Sequence, residues 1–596
     1  MHRLIQSTAI ILALAAPGSA QEAADAIAPE GAAAGAVFGP LTEAAEAALA
    51  TKEEGGVVTA ETWMVAAANP LAVEAGARVL DAGGSAADAM VAVQAVLGLV
   101  EPQSSGLGGG AFLVWYDAET GELTTLDGRE TAPLAATPTL FQEDGERMGF
   151  FDAVVGGRSV GTPGTPALME AAHRNWGTAR WPSLFEDAIR LAEEGFTVSP
   201  RLATLVERDA ERLSVFPATA AYFLPGGEPL DAGQTLVNPA YAETLRALAA
   251  DGSEAFYAGD IAAGIVGTVR GAEGNPGLLS LTDLALYEVK ERPAVCAAYR
   301  MYEVCGMGPP SSGALTVGQI LGMLDSYPLG DMGRESAEAW RLIGDASRLA
   351  FADRGRYMAD SDFVPMPTAG LVDPAYLSER AALLEGETAL EEVEPGAPEW
   401  DHAQLWGDDT SIEFPSTSHI SIVDEDGNAL SMTTTIENGF GSRVMAPGGF
   451  LLNNELTDFS FATHDDGRPI ANRLEPGKRP RSSMAPTIVM SGDAPVLVVG
   501  SPGGSRIIGY VAKTIIAHLD WGMHVQDAVA LPHLVNRFGT YDVEAGTAAE
   551  DFADALIEMG YEVNARDLTS GLHAISIGHM LEGGADPRRE GIALGD

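Results

Sequence analysis

The sequence predicts a mixed α/β chain built as one large unit, with helices concentrated before residue 417 and strands after it. Three observations carry this. Helix start and stop signals recur through the first part, β-branched runs separated by turn residues dominate beyond Thr417, and no Pro- or Ser-rich linker or internal repeat divides the 596 residues. Length alone would suggest more than one domain. The lack of a linker argues against it.

The opening MHRLIQSTAIILALAAPGSA has a short basic start, an apolar stretch and small residues at Gly18 and Ala20, so residues 1–20 read as a secretory signal peptide. The chain is expected to be exported, to the periplasm or beyond. An uncleaved anchor is the alternative, but the apolar stretch is well short of the ~20 residues that span a bilayer. Residues 21–55, rich in Ala, Glu and Gly, read as a flexible lead-in. Next, Asn69 and Pro70 open a helix that Gly83 and Gly84 stop, and Ser85 caps a second one from Ala86 to Leu99. The Ala and Val content of the second predicts burial, and Asp88 and Gln94 argue against a membrane span. The loop GLGGG at 106–110 lacks the Lys and Ser/Thr of a phosphate-binding loop, so close backbone packing is its better explanation.

The only cysteines, Cys296 and Cys305, flank AAYRMYEV, which reads as strand with a turn near Tyr299. In an exported chain a disulfide across this ribbon is expected, two buried thiols being the alternative, and two cysteines alone do not make a metal site. No cofactor is implied. From Thr417 the chain reads TSHISIVD, then a turn at Asp426 and Gly427, then ALSMTTTI, which predicts a β-hairpin that sets Thr435 nearly opposite Thr417. APTIVM and PVLVV are further strands, followed by helices near 509–519 and 549–559.

A formal net charge of -49 and a pI near 4.3 exclude a general electrostatic footprint for nucleic acid. Lysine occurs only at 52, 290, 478 and 513. The surplus of Asp and Glu predicts a solvated, like-charged surface whose self-repulsion salt would screen.

A threonine hydroxyl is a weak nucleophile unless an adjacent base takes its proton. A freed α-amine, with an unperturbed pKa of roughly 7.7 to 8.0, can serve near neutral pH. If the bond between Ser416 and Thr417 breaks, nucleophile and base become one residue, and Thr435 can orient its hydroxyl. A pair of strand threonines is ordinarily structural. The surrounding motifs change that reading.

The segments FPSTSHISIVDEDGNALSMTTTIENGFGSRV, FLLNNELTDFS, PGKRPRSSMAPT and GSPGGSR resemble the γ-glutamyltransferase family, as do NPLAVEAGARVLDAGGSAADAMVAVQAVLGLVEPQSSGLGGGAFLVWYD, LDGRETAP and GPPSSGALTVGQIL upstream. The resemblance runs from about Val65 to the C-terminus. It implies an N-terminal nucleophile hydrolase fold, a stacked αββα sandwich, made as a precursor that cuts itself before Thr417 into a large subunit (56–416) and a small catalytic one (417–596), which stay together as a heterodimer.

The resemblance also assigns roles. Gly503 and Gly504 would supply the oxyanion hole, a task for which a glycine pair brings its backbone close. Arg129 would pair with the α-carboxylate of a γ-glutamyl group, helped by Ser482 and Ser483, and Glu455 and Asp458 would receive its α-ammonium. Two departures stand out. Glu437 occupies a position where many members carry Asn, placing a third acid beside the ammonium site. The segment from Phe461 to Arg481, where some members carry a lid with a tyrosine, is shorter and has none, so an open groove is expected. His419 invites a reading as catalytic base, but strand alternation and the amine favour a structural role.

The implied activity is cleavage of γ-glutamyl amides such as glutathione through a γ-glutamyl ester on Thr417, passed to water or to an amino-acid or peptide acceptor. A glutaryl or cephalosporin-type acylase on the same scaffold is the alternative, and a catalytically silent binding protein is a third possibility that the intact Thr417, Thr435 and glycine pair argue against.

Overall fold

A computed structural model of the uncleaved chain describes residues 38–402, 405–411 and 413–596. The expected signal peptide, residues 1–20, lies outside the described residues, as does the lead-in through residue 37. The rest of the expected lead-in does not stay loose. Glu43–Glu53 is a helix capped by Thr42, because Ala45 and Ala48 bury against the body and the Lys52 ammonium donates to the carbonyls of Arg589 and Gly591. An Ala-rich composition reads as lead-in until such a docking partner is known.

Two seven-stranded antiparallel sheets lie face to face between layers of helices. In the first sheet the strand order is Val58–Ala60, Leu581–Ala585, His573–Ile577, Ala494–Gly500, Thr487–Ser491, Tyr302–Gly306 and Val295–Tyr299. The second runs Ile592–Gly595, Met64–Ala67, Ser418–Val423, Ala429–Thr435, Gly110–Tyr116, Leu123–Gly128 and Lys290–Pro293. Strand side chains alternate between faces. Met64, Ala66, Val114, Ile488, Val498 and Ile575 therefore meet between the sheets, while Val65, Ala67, Leu113, Ile420 and Ile422 face an outer helical layer. The opposite face of the first sheet, including Val304, Val489 and Val499, packs with helices Gly313–Leu324, Ala337–Tyr357 and Ile507–Leu519. This is the αββα sandwich.

Each predicted element near the site is present. Asn69 caps Pro70–Asp81, and Ser85 caps Ala86–Val100 in a reciprocal box with Asp88, after which every residue of that helix is buried. The Cys296–Cys305 ribbon pairs in register and carries a disulfide, with Arg300 at the turn in the left-handed region. The predicted hairpin occupies the middle of the second sheet, with Ser418 opposite Thr434 and the turn at 424–428.

Because the hairpin is buried on both faces, its polar residues must find partners inside the protein. They tie the two sheets together: Ser421 Oγ donates to the carbonyl of His573 and Ser431 Oγ to that of Val499. His419 lies between Thr433 and Ser421, at 2.9 and 3.0 Å, and burial holds its ring well below the usual imidazole range. It is a neutral packing residue held within the hairpin, the structural role that was expected.

The GLGGG loop bears out the packing reading. A Cβ on Gly108 would stand 2.0 Å from the Leu451 carbonyl, and one on Gly109 2.0 Å from that of Thr435. Gly109→Ala should accordingly cost about 2 kcal/mol or more and displace the end of the Thr435 strand. Urea unfolding checks the first expectation, and activity reduced at least about ten-fold checks the second.

Candidate active site

At the open end of the hairpin, Thr417 Oγ1 and Thr435 Oγ1 are 3.1 Å apart. The pairing register places them there: continuing Ser418↔Thr434 by one residue sets the two threonines side by side on one face of the sheet. Thr435 is fixed from behind by the Glu437 backbone N–H, which donates to its hydroxyl at 2.9 Å. Thr417 has φ 100°. For a β-branched residue that is a strained conformation, costing of order 1–3 kcal/mol. Glu437, Phe440 and Arg443 also lie at positive φ, so strain is concentrated around the end of the hairpin.

The threonine pair opens onto a narrow cavity of about 20 Å³ lined by Arg129, Glu413, Phe414, Glu437, Glu455, Asp458, Ser482, Ser483, Met484, Gly504 and Ile507. Nine of the expected site residues, Arg129, Thr417, Thr435, Glu437, Glu455, Asp458, Ser482, Ser483 and Gly504, line one space. Gly503 flanks it and Ser416 precedes the threonine. No residue of 461–481 lines this cavity, whereas Glu413 and Phe414 do.

Arg129 follows the strand Leu123–Gly128 and is fully buried, its carbonyl held by the Tyr287 hydroxyl at 2.9 Å. Its guanidinium pairs with Glu455 and with Asp458 (2.5 Å), and it donates to the carbonyls of Pro480 and Arg481. The carboxylates outnumber it. Burial, reinforced by neighbouring acids, holds Glu455 and Asp458 well above the usual carboxylate range despite Arg129. Glu455 Oε2 and Asp458 Oδ1 are buried without a hydrogen-bond donor among the described residues. Glu437 is raised likewise, by burial and then by Asp458, while accepting from Asn454 and from the backbone of Phe414. The far end of the cavity is thus an acidic cradle around one arginine, poor in donors.

Gly503 and Gly504 form the turn into the helix Ile507–Leu519, with φ 137° and 58°. A Cβ on Gly504 would meet the Glu413 carbonyl at 2.4 Å, and one on Gly503 the Tyr510 ring at 2.7 Å. Only glycine fits either position. The backbone of this turn lies against the segment just upstream of Thr417, where the Ser505 N–H donates to the Glu413 carbonyl.

The sequence reading missed Glu413 and its partners. Glu413 pairs with Arg354 and Arg481, and Ser483 Oγ donates to it at 2.8 Å. Burial alone would raise its pKa, but the two arginines bring it down to about 2. Arg481 could have been found from its place beside the serine pair in PRSS; Arg354, in the helix Ala337–Tyr357, had no local signal. Ser416 was placed only by the cut, yet its hydroxyl donates to the Gln103 carbonyl at 2.9 Å.

Glu413 has a folded pKa below its ordinary 4.5, so its stabilisation is complete above about pH 4.5 and is lost as the pH falls toward 2. In an uncleaved chain, Glu413→Gln should lose about 3 kcal/mol at pH 7, because the buried Arg354 loses its anion and Arg481 is left with Asp409 alone. Its stability should also fall less steeply between pH 4.5 and 2 than that of the parent. Denaturant melts across that range measure both.

Comparison with known proteins places this site in a lineage. The family model described as Gamma-glutamyltranspeptidase matches residues 72–596. The glutathione hydrolase proenzyme of Bacillus subtilis (strain 168) is 38% identical over 547 residues, covering 89% of this chain and 91% of its own. Among solved structures, cephalosporin acylase from Bacillus halodurans superposes with a TM-score of 0.80 at 27% identity, covering 91% of this chain and 97% of that one. The Helicobacter pylori gamma-glutamyltranspeptidase gives 0.53 at 35% identity over 55% of this chain and 94% of its own. A match over nearly the whole chain, joined to the paired threonines, leads to one conclusion: the protein belongs to the gamma-glutamyltranspeptidase family.

Proposed function

We propose that the protein is an autocleaving γ-glutamyl hydrolase and transferase acting on glutathione and related γ-glutamyl amides, with Thr417 as nucleophile. The observation that carries this is the joint placement of a threonine pair and an arginine-centred acidic cradle at two ends of one cavity. The relatives named glutathione hydrolase and gamma-glutamyltranspeptidase support the same reading.

Maturation comes first. Thr417 Oγ1 attacks the Ser416 carbonyl carbon, the peptide C–N bond breaks as the hydroxyl proton reaches the departing nitrogen, and an ester links the fragments. Water hydrolyses that ester, leaving a Ser416 carboxylate and a Thr417 amine. The strained φ of Thr417 favours the cut, since the dihedral ceases to exist once the bond is gone.

In turnover the amine takes the Thr417 hydroxyl proton as Oγ1 bonds to the substrate γ-carbonyl. Backbone N–H groups at Gly503 and Gly504 receive the oxyanion. The proton passes to the leaving amine, and water or an acceptor amine then releases the γ-glutamyl group by the reverse steps. Recognition is an exchange of partners. The substrate brings a carboxylate for Arg129 and the two serines, and an ammonium for the donor-poor oxygens of Glu455 and Asp458. Glu437 adds a third acceptor to the ammonium side. The cradle of acids favours this over the acylase reading, because a glutaryl group carries no ammonium. Export, the heterodimer of 56–416 and 417–596, and hydrolysis dominating transfer through an uncovered 461–481 segment belong to the same proposal. Among the described residues no helix is long and apolar enough to cross a membrane.

Three results would test it. Wild type should run as two fragments, the smaller beginning Thr-Ser-His-Ile, while Thr417→Ala stays uncut and inactive; a break elsewhere sinks the mechanism. Arg129→Ala should lower kcat/KM on γ-glutamyl anilides about ten- to a hundred-fold. Asp458→Asn should harm them more than glutaryl anilides, and equal losses on both would remove Asp458 from ammonium recognition.

A further inference from the structure

The cut that frees the Thr417 amine also removes the covalent tether on the N-terminal side of the nucleophile. Its strand begins only at Ser418, so the residue is then held by its hydroxyl contact with Thr435 and by whatever grips its own carbonyl. That grip comes from the far end of the sequence. Arg589 Nη1 donates to the Thr417 carbonyl at 3.1 Å.

Arg589 is itself built in. A turn closed by the Arg589 N–H and the Asp586 carbonyl sets its direction, and its stem passes so close to Gly571 that a Cβ there would stand 2.7 Å from Cδ. The Lys52 ammonium, from the docked helix Glu43–Glu53, donates to the carbonyls of Arg589 and Gly591 at 2.5 and 2.6 Å. One Cα separates the Thr417 amine from the gripped carbonyl, which puts the guanidinium about 5 Å from the base.

Resting on the proposed role of Thr417, we infer that Arg589 is a positioning residue for the mature nucleophile: it fixes the Thr417 carbonyl after the cut and sets a permanent positive charge beside the α-amine, favouring its neutral, proton-accepting form. Among the described residues, the other charged and titratable groups near Thr417 do not supply that charge. On the cavity side, Glu413 is paired with Arg354 and Arg481; Glu437, Glu455 and Asp458 are acids that add no positive charge, and Arg129 is committed to two of them. On the strand side, His419 and His573 are buried and neutral. Beside Arg589, Asp586 and Glu590 are acids and Lys52 is turned to backbone carbonyls. Among the described residues it is the Arg589 guanidinium that reaches the Thr417 carbonyl directly, and a guanidinium stays charged at every working pH.

Removing a nearby positive charge raises the pKa of an amine, so the base stays protonated to higher pH and the acid limb of kcat/KM moves up. The test compares pH profiles for γ-glutamyl anilide hydrolysis by matured full-length wild type, Arg589→Gln, Arg589→Lys and Lys52→Met. Arg589→Gln should shift the acid limb upward by about one pH unit and lower kcat at pH 7 at least about ten-fold, with KM within about three-fold because no substrate contact is lost. Arg589→Lys keeps a charge and should restore most of the limb. If Arg589→Gln remains uncut, Lys52→Met, which loosens the Arg589 backbone, should show a smaller upward shift. An acid limb superimposable on wild type in the matured variant overturns the inference, as does an Arg589→Lys profile no better than Arg589→Gln. Wild type lacking a Thr417 terminus would instead overturn the proposed function and this inference together.

Discussion

Everything at this site hangs on the register of one hairpin buried in the middle of a sheet. The contact of 3.1 Å between the Thr417 and Thr435 hydroxyls exists because Ser418 pairs with Thr434, and a slip of one residue between the two strands would put the two side chains on opposite faces. Slippage is opposed on every side. Both faces of the hairpin are buried, Met64–Ala67 and Gly110–Tyr116 flank it, and Ser421 and Ser431 pin it to the other sheet. Gly109 rests directly on the Thr435 carbonyl. Two hydroxyls placed this way need no mobile loop to meet.

The second constraint is charge. The cavity, of about 20 Å³, holds one arginine among more carboxylates than it can neutralise. An isolated buried acid of this kind is costly. It is tolerable where a ligand delivers the missing cation, and under the proposed function a γ-glutamyl group would bring a cation and an anion on a single carbon. In the uncleaved chain Glu413 and Phe414 line the same cavity, where Glu413 accepts from Ser483 and its carbonyl lies against the Gly504 turn.

Local signals made much of this legible in the sequence. Caps at Asn69 and Ser85, the Asp-Gly turn after Thr417 and the alternating runs on either side report their own structure, because the forces that decide them act over a few residues. The family motifs then named nearly every wall of the cavity. What stayed hidden depends on distant partners. The helix Glu43–Glu53 reads as an unstructured lead-in until Arg589 and Gly591 are seen to receive Lys52, and Glu413 gains meaning only when Arg354 and Arg481 fold against it. Arg589 itself is an ordinary basic residue in DPRREG, more than a hundred positions from the threonine it grips.

The central claim is that Thr417 carries the γ-glutamyl group as an ester. Rapid acid quenching of the matured protein during turnover of a γ-glutamyl anilide, followed by digestion and peptide mass spectrometry, tests it most directly. The account predicts a γ-glutamyl adduct on the peptide that begins at Thr417, placed on the threonine by fragmentation and absent when the substrate is omitted. An adduct on a different residue, or steady turnover with that peptide unmodified at every quench time, would contradict it.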